Sequence, residues 1–325
     1  MVKKEGMNHD ESEESDADTQ NANALTHETT APLVSTERET ENTAHAGNAH
    51  ESGSERDPER RYQENLETLK KVEEADGMTA YAKERVTEES FYGNEDLTVY
   101  CSDERTEGFG PRDLGGPLFA LFILKVDRKQ LAAAYWAQGV RTLTSHHECG
   151  AAKAAYKAAH PGSDPTWDEV NEFAKRETEM FAREFAEYQF GYEHIDAAHM
   201  ATDGHFHPGV CIYLDDVGGF SWRQTDGMPQ GYKVSSTVSK DPVAGVVALL
   251  DLVAFAQGNA GTRMQKDGIS FPIYIVAATR EAFDARCAEL RTAIQGKPYE
   301  ASIVFEMIEK PESVPVREHA KDLLK

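Results

Sequence analysis

Residues 140–159 read VRTLTSHHECGAAKAAYKAA, and this stretch decides the fold. Val140 to Ser145 is rich in β-branched and apolar residues, the composition of a strand. Ala151 to Ala159 is alanine-rich, the composition of a helix. Between them His146-His-Glu-Cys149-Gly150 turns the chain. A strand that passes directly into a helix is half of a crossover unit, and crossover units build parallel sheets.

The alternation continues outward. Leu97-Thr-Val-Tyr-Cys101 is a short strand after the turn signal Gly93-Asn94. Pro117 to Leu124 is nearly all apolar, either a strand buried on both faces or a buried helix. Asp127 with Gln130 three residues on reads as a capping box, opening the helix Leu131–Trp136, which Gly139 stops. Downstream, Pro165 to Tyr188 is a long helix whose Trp167, Val170, Phe173, Phe181 and Phe185 form a core-facing stripe. Val210–Leu214 is a strand, 221–240 is polar and turn-rich, and Val243–Phe255 is a buried helix. A strand at Phe271–Ala278, a helix at Glu281–Ile294 and a strand at Ser302–Met307 complete the chain. Before them all, Tyr62 to Val86 is helical and broken at Gly77. The expectation is an α/β fold: a central, mostly parallel sheet flanked by helices. No internal repeat is visible in the residues.

Composition narrows the function. The 325 residues carry a net charge of −23, which disfavours nucleic acid and anionic membrane surfaces as partners. No apolar run is long enough to span a bilayer. The first residues lack the apolar core of a secretory signal, so a cytoplasmic location is expected. Four cysteines are too few for a disulfide framework, and reduced thiolates can then serve as metal ligands. Residues 1–60 hold 15 acidic and 5 basic side chains, with no aromatic residue and no cysteine. Such a segment buries too little apolar surface to offset its ordering entropy, so 1–60 is expected to be a disordered acidic tail. The remaining chain divides into 61–222, which carries the motifs below, and 223–325, a C-terminal α/β extension.

Cys101, His146 and Cys149 make a Cys2His donor set, the type that holds a catalytic zinc with one position open. Cys101 and His146 stand at the C-terminal ends of expected parallel strands, where sites in open α/β sheets gather. Cys149 stands at a helix entry, whose partial positive charge favours thiolate. Asp103 and Arg105 follow Cys101 at two and four. A carboxylate beside a guanidinium stays ionised. Asp103 can then orient a water at the metal or occupy the open position itself, with Arg105 drawing it away.

The pattern Cys101-Ser-Asp103-Glu-Arg105, then His146-His-Glu-Cys149-Gly150 and an alanine-rich helix, resembles the β-class carbonic anhydrases. The resemblance covers residues 62–220. Arg112-Asp-Leu-Gly115-Gly116 stands where that family has Arg-Asn-Ala-Gly-Asn, and residues beyond 222 have no counterpart. The resemblance implies Zn2+ bound by Cys101, His146 and Cys149, with Asp103 and Arg105 as a catalytic dyad. It implies reversible hydration of carbon dioxide to bicarbonate by a metal-bound hydroxide. It also implies a homodimer or higher oligomer, with the helix before the first strand packing across the partner.

Other readings stand beside this one. A relative could hydrolyse a similar linear molecule such as carbonyl sulfide. A non-catalytic zinc-binding module would keep the metal for structure, sensing or partner binding. Cys211 and Cys287 read as core residues. His194, His199, His205 and His207 form a cluster that is either a polar loop, a second metal site or a proton relay. His147 is expected to point away from His146.

Overall fold

In the computed structural model, β1 (Thr98–Cys101) and β3 (Thr142–His146) lie side by side, parallel, with Val99 opposite Leu143. The structure describes residues 57–83, 85–91, 97–201, 206–225 and 227–317, all within one compact unit. Outside β1 lies β2 (Arg112–Asp113), and outside β3 lies β4 (Gly191–Ile195). The order β2-β1-β3-β4 is parallel throughout. One face is covered by α4 (Arg128–Ala137) and α6 (Trp167–Glu184). There Leu131, Tyr135 and Phe181 pack with Val99 and Leu143, all fully buried. Each such aliphatic or phenyl side chain contributes roughly 1.5–3 kcal/mol by leaving water.

The second sheet comes from β5 (Ile212–Asp215), β6 (Tyr232–Ser235), β7 (Phe271–Ala277) and β8 (Ile303–Glu309). Its order is β6-β5-β7-β8, again parallel throughout. The expected α/β architecture of parallel strands flanked by helices is present, divided over two four-stranded sheets, and the second repeats the strand order of the first. This repeat escaped the sequence reading because strand order is a property of pairing, not of residue type. Residue 222, the expected domain boundary, falls between β5 and β6, which pair over four residues in one sheet.

The two sheets approach through β2 and β6. Arg112 N donates to Ser235 Oγ at 3.0 Å, and Lys233 N donates to Ser102 O at 3.0 Å. A shared core runs beneath both. It joins Leu114, Leu118 and the alanines of α5 (Gly150–Ala159) to Leu214, Val246 and Ile275. Val246 belongs to α7 (Pro242–Leu249); α8 (Ala260–Lys266) follows it and α9 (Arg280–Ile294) follows β7.

Local rules account for most element ends. Asp127 Oδ1 accepts Gln130 N at 3.0 Å and so caps α4. The long helix starts at Trp167 rather than Pro165, because Thr166 and Glu169 form a reciprocal capping box. The ambiguous run after Pro117 is a short helix, α3 (Leu118–Phe122). Gly115 and Gly116, with φ of 66° and 60°, turn the chain into it. A side chain on Gly116 would put Cβ 2.7 Å from Thr144 O, so only glycine fits. Two further helices, α1 (Pro58–Glu74) and α2 (Met78–Ala82), precede β1. The acidic segment 1–60 lies outside the described residues except for its last four, where Asp57 caps α1. Among the described residues no helix is long and apolar enough to cross a membrane.

Candidate metal centre

Cys101 is the last residue of β1 and His146 the last of β3, so the parallel register brings both to the same sheet edge. Cys149 caps α5, its Sγ accepting Ala152 N at 3.4 Å. The three donor atoms lie within 4.8 Å of one another, and the two sulfurs are 3.9 Å apart. Two thiolates bound at about 2.3 Å on a tetrahedral ion stand about 3.8 Å apart. All three side chains are buried, exposed by 2% or less.

The orientation of His146 favours coordination. Its Nδ1 meets His147 O at 2.9 Å, the bond of an Nδ1–H tautomer donating to a carbonyl. Nε2 then carries the lone pair, and this buried atom has no hydrogen-bond partner. An orphaned imidazole nitrogen beside two buried thiols fits a metal ion better than it fits a packed core. Burial, and then the neighbouring Cys149, push the Cys101 thiol well above its usual pKa. Burial alone would lower His146, but the facing Cys101 raises it.

The turn between the two later donors is held from outside. Glu148 adopts φ 52°, unusual for a residue with a side chain. Its N–H donates to Asn171 Oδ1 at 2.8 Å, and Asn171 Nδ2 sits 3.1 Å from His147 Nδ1. His147 therefore points away from the centre, as expected. The Asn171 clamp lies on α6, and nothing in the two motifs pointed to it.

Asp103 and Arg105 form a closed pair. Arg105 N and Nε donate to Asp103 Oδ1 at 2.9 and 3.0 Å, and Nη2 donates to Oδ2 at 2.8 Å. Burial alone would raise the Asp103 carboxyl. Arg105, then His207 and His146, outweigh it and hold the group well below the usual carboxylate range. Asp103 Oδ2 lies 3.8 Å from His146 Nε2. The carboxylate thus borders the donor set with both oxygens engaged by Arg105. Arg112 clamps the loop from below. It is buried, and its Nη1 lies 3.1 Å from Cys101 O, 3.0 Å from Thr106 O and 2.6 Å from Thr106 Oγ1. Gly115 N donates to Cys101 Sγ at 3.2 Å.

Among the described residues, the histidines of the cluster do not form one site. His194 Nδ1 bonds Ser145 Oγ at 2.8 Å on the far side of β3, His199 is exposed in a short turn, and His205 lies outside the described residues. His207 Nδ1 meets Glu104 Oε1 and Oε2 at 3.0 and 3.2 Å. Asp103, Glu104 and His207 also gather within 4.8 Å, but these donors already have protein partners. Cys211 and Cys287 are buried away from the centre, as core residues. Together Cys101, His146 and Cys149 form a buried group that can hold a metal ion. No family model, curated protein or solved structure matches the chain.

Proposed function

We propose that this centre holds zinc and that the protein catalyses the reversible hydration of carbon dioxide to bicarbonate. The observation that carries the reading is the ion pair of Asp103 with Arg105 set 3.8 Å from the free nitrogen of His146. A purely structural zinc normally takes a fourth protein ligand and has no use for such a pair. Two thiolates and an imidazole suit zinc among the divalent ions. The motifs that bear these residues are the ones that resemble the β-class carbonic anhydrases.

Cys101, His146 and Cys149 would hold the ion. When bound, zinc supplies the Lewis acidity that makes water a nucleophile near neutral pH. The chain's own residues supply position. Asp103 stays ionised at working pH, so it accepts a hydrogen bond from the attacking water rather than storing its proton. That bond aims the oxygen lone pair at the carbon of the substrate. Arg105 keeps the carboxylate in place by engaging both of its oxygens. Carbon dioxide and water give bicarbonate and one proton, which passes to solvent base.

The burial of all three donors favours a second reading, a non-catalytic zinc module. One experiment separates the two: metal analysis with stopped-flow hydration of carbon dioxide, on wild type and Asp103→Ala. The enzyme reading expects about one zinc per chain and a rate above background that falls in the variant. Zinc at full occupancy with only the uncatalysed rate would leave the module.

A further inference from the structure

The strand order of the second sheet sets up a residue-by-residue comparison with the first. In each sheet the chain's first strand is internal, its second lies outside it, and its third and fourth follow on the other side. Cys101, the last residue of β1, pairs with Asp113 of β2; Asp215, the last residue of β5, pairs with Ser235 of β6. Continuing the β1–β3 register from Val99↔Leu143 by two residues sets Cys101 opposite Ser145, just before His146. Asp215 is opposite Val276, just before Ala277. The helix after β3 is capped by Cys149, whose Sγ accepts Ala152 N; the helix after β7 is capped by Thr279, whose Oγ1 accepts Ala282 N. Asp215, Ala277 and Thr279 therefore stand where Cys101, His146 and Cys149 stand.

That second set cannot hold a metal. Ala277 has no donor atom. The Asp215 carboxylate accepts three backbone N–H groups of its own loop, from Val217, Gly218 and Phe220, at 3.2, 2.9 and 3.1 Å. What the second half does instead is complete the first centre. His207 holds the carboxylate of Glu104, and Gln230 Nε2 donates to Glu104 O at 3.2 Å. The backbone of β6 holds Ser102, as described above. Helix α2, which precedes β1, packs on the second sheet rather than the first: Met78 N donates to Glu306 Oε2 at 2.7 Å and Thr79 Oγ1 to Met307 O at 2.6 Å. The two halves are interlocked as two subunits of a dimer would be.

We infer that residues 206–317 are a second copy of the fold of 97–201 that has lost its metal site and serves as a built-in partner, so that one chain with one metal ion is the complete unit. This rests on the metal reading for the ion but not for the pairing of halves. It replaces the homodimer implied by resemblance with a dimer inside one chain.

The test measures native mass and metal content of the full-length protein at low concentration. The expected result is the mass of a single chain, with or without chelator, and about one zinc per chain. A stable two-chain species, or metal held only by such a species, would overturn the inference. A single chain that binds no zinc would sink the metal reading and leave the built-in partner standing. A second arm installs donors at the equivalent positions: Asp215→Cys, Ala277→His and Thr279→Cys together. Metal content rising from about one to about two per chain supports the equivalence; content staying near one in a variant with native circular dichroism refutes it. If the triple variant does not fold, the wild-type mass decides.

Discussion

Arg105 grips Asp103 through three hydrogen bonds of 2.8 to 3.0 Å, with side chains exposed by only 3% and 7%. Two charges so deeply buried are held in place by each other. Removing the guanidinium with Arg105→Ala leaves an uncompensated carboxylate, at a cost of about 3–5 kcal/mol in unfolding free energy. The double variant with Asp103→Ala loses less than Arg105→Ala alone. Denaturant titration of the four proteins in a double-mutant cycle measures this. A double-variant loss equal to the sum of the two single losses would show that the pair does not act as a unit.

The metal proposed for this centre would depend on both thiolates. Cys101→Ser and Cys149→Ser are each expected to drop occupancy below about a tenth under conditions that saturate the wild type. Cobalt substitution reads the sulfur ligands directly through their charge-transfer absorption. Because burial keeps the Cys101 thiol protonated at neutral pH, metal uptake must displace that proton. Affinity therefore falls as pH falls, and binding releases acid into a weakly buffered solution. Full occupancy in either serine variant refutes the ligand assignment.

Asn171 supports the centre from outside the motifs. It holds Glu148 in its left-handed conformation and orients His147. Asn171→Leu keeps the volume but removes both bonds, and is expected to weaken metal affinity by about 10–100-fold. A chelator competition titration gives the number. Unchanged affinity would mean that the turn holds its shape without the clamp.

Asp113 couples stability to pH. Burial raises its carboxyl to about 7, despite bonds from Tyr135 and from Leu114 N that lower it. The folded-state value lies above the unfolded one near 3.9, so the folded protein binds the extra proton. Its contribution is present in full below about pH 4 and is lost as pH rises through about 7, a change of about 4 kcal/mol. Asp113→Asn removes this dependence while still meeting Tyr135 Oη and Leu114 N. Unfolding free energies of both proteins from pH 4 to 8 should diverge by that amount; parallel curves rule it out.

Gly116 has no substitute. Its φ of 60° and the 2.7 Å approach of a Cβ to Thr144 O predict that Gly116→Ala loses at least about 2 kcal/mol. Thermal unfolding checks it, and a loss under about 0.5 kcal/mol would show that the backbone relaxes freely there.

Much of the centre was legible because its signals are local. For His146 and Cys149, a strand end, a three-residue spacing and a helix cap are written within ten residues of each other, and Cys101 is marked by its own strand end earlier in the chain. The core roles of Cys211 and Cys287 follow from their apolar neighbours in the same way. The short strands were not legible. Two-residue β2 carries no periodicity, β4 alternates polar side chains at a sheet edge, and β6 hides in the polar run 221–240. Each exists because a neighbouring strand offers its backbone groups, and that neighbour is far away in the chain.

The sequence by itself determined the donor types, their places at strand ends and the α/β class, since these depend on residue chemistry and on periodicities of a few residues. Only the tertiary structure decided that a second sheet repeats the order of the first, that Asp103 is held by Arg105 beside His146, and that His207 meets Glu104, 103 residues away. The reason is physical. Strand order and buried polar pairing are chosen by which distant segments bury the most apolar surface together while leaving no charge unmatched, and no local pattern encodes that choice.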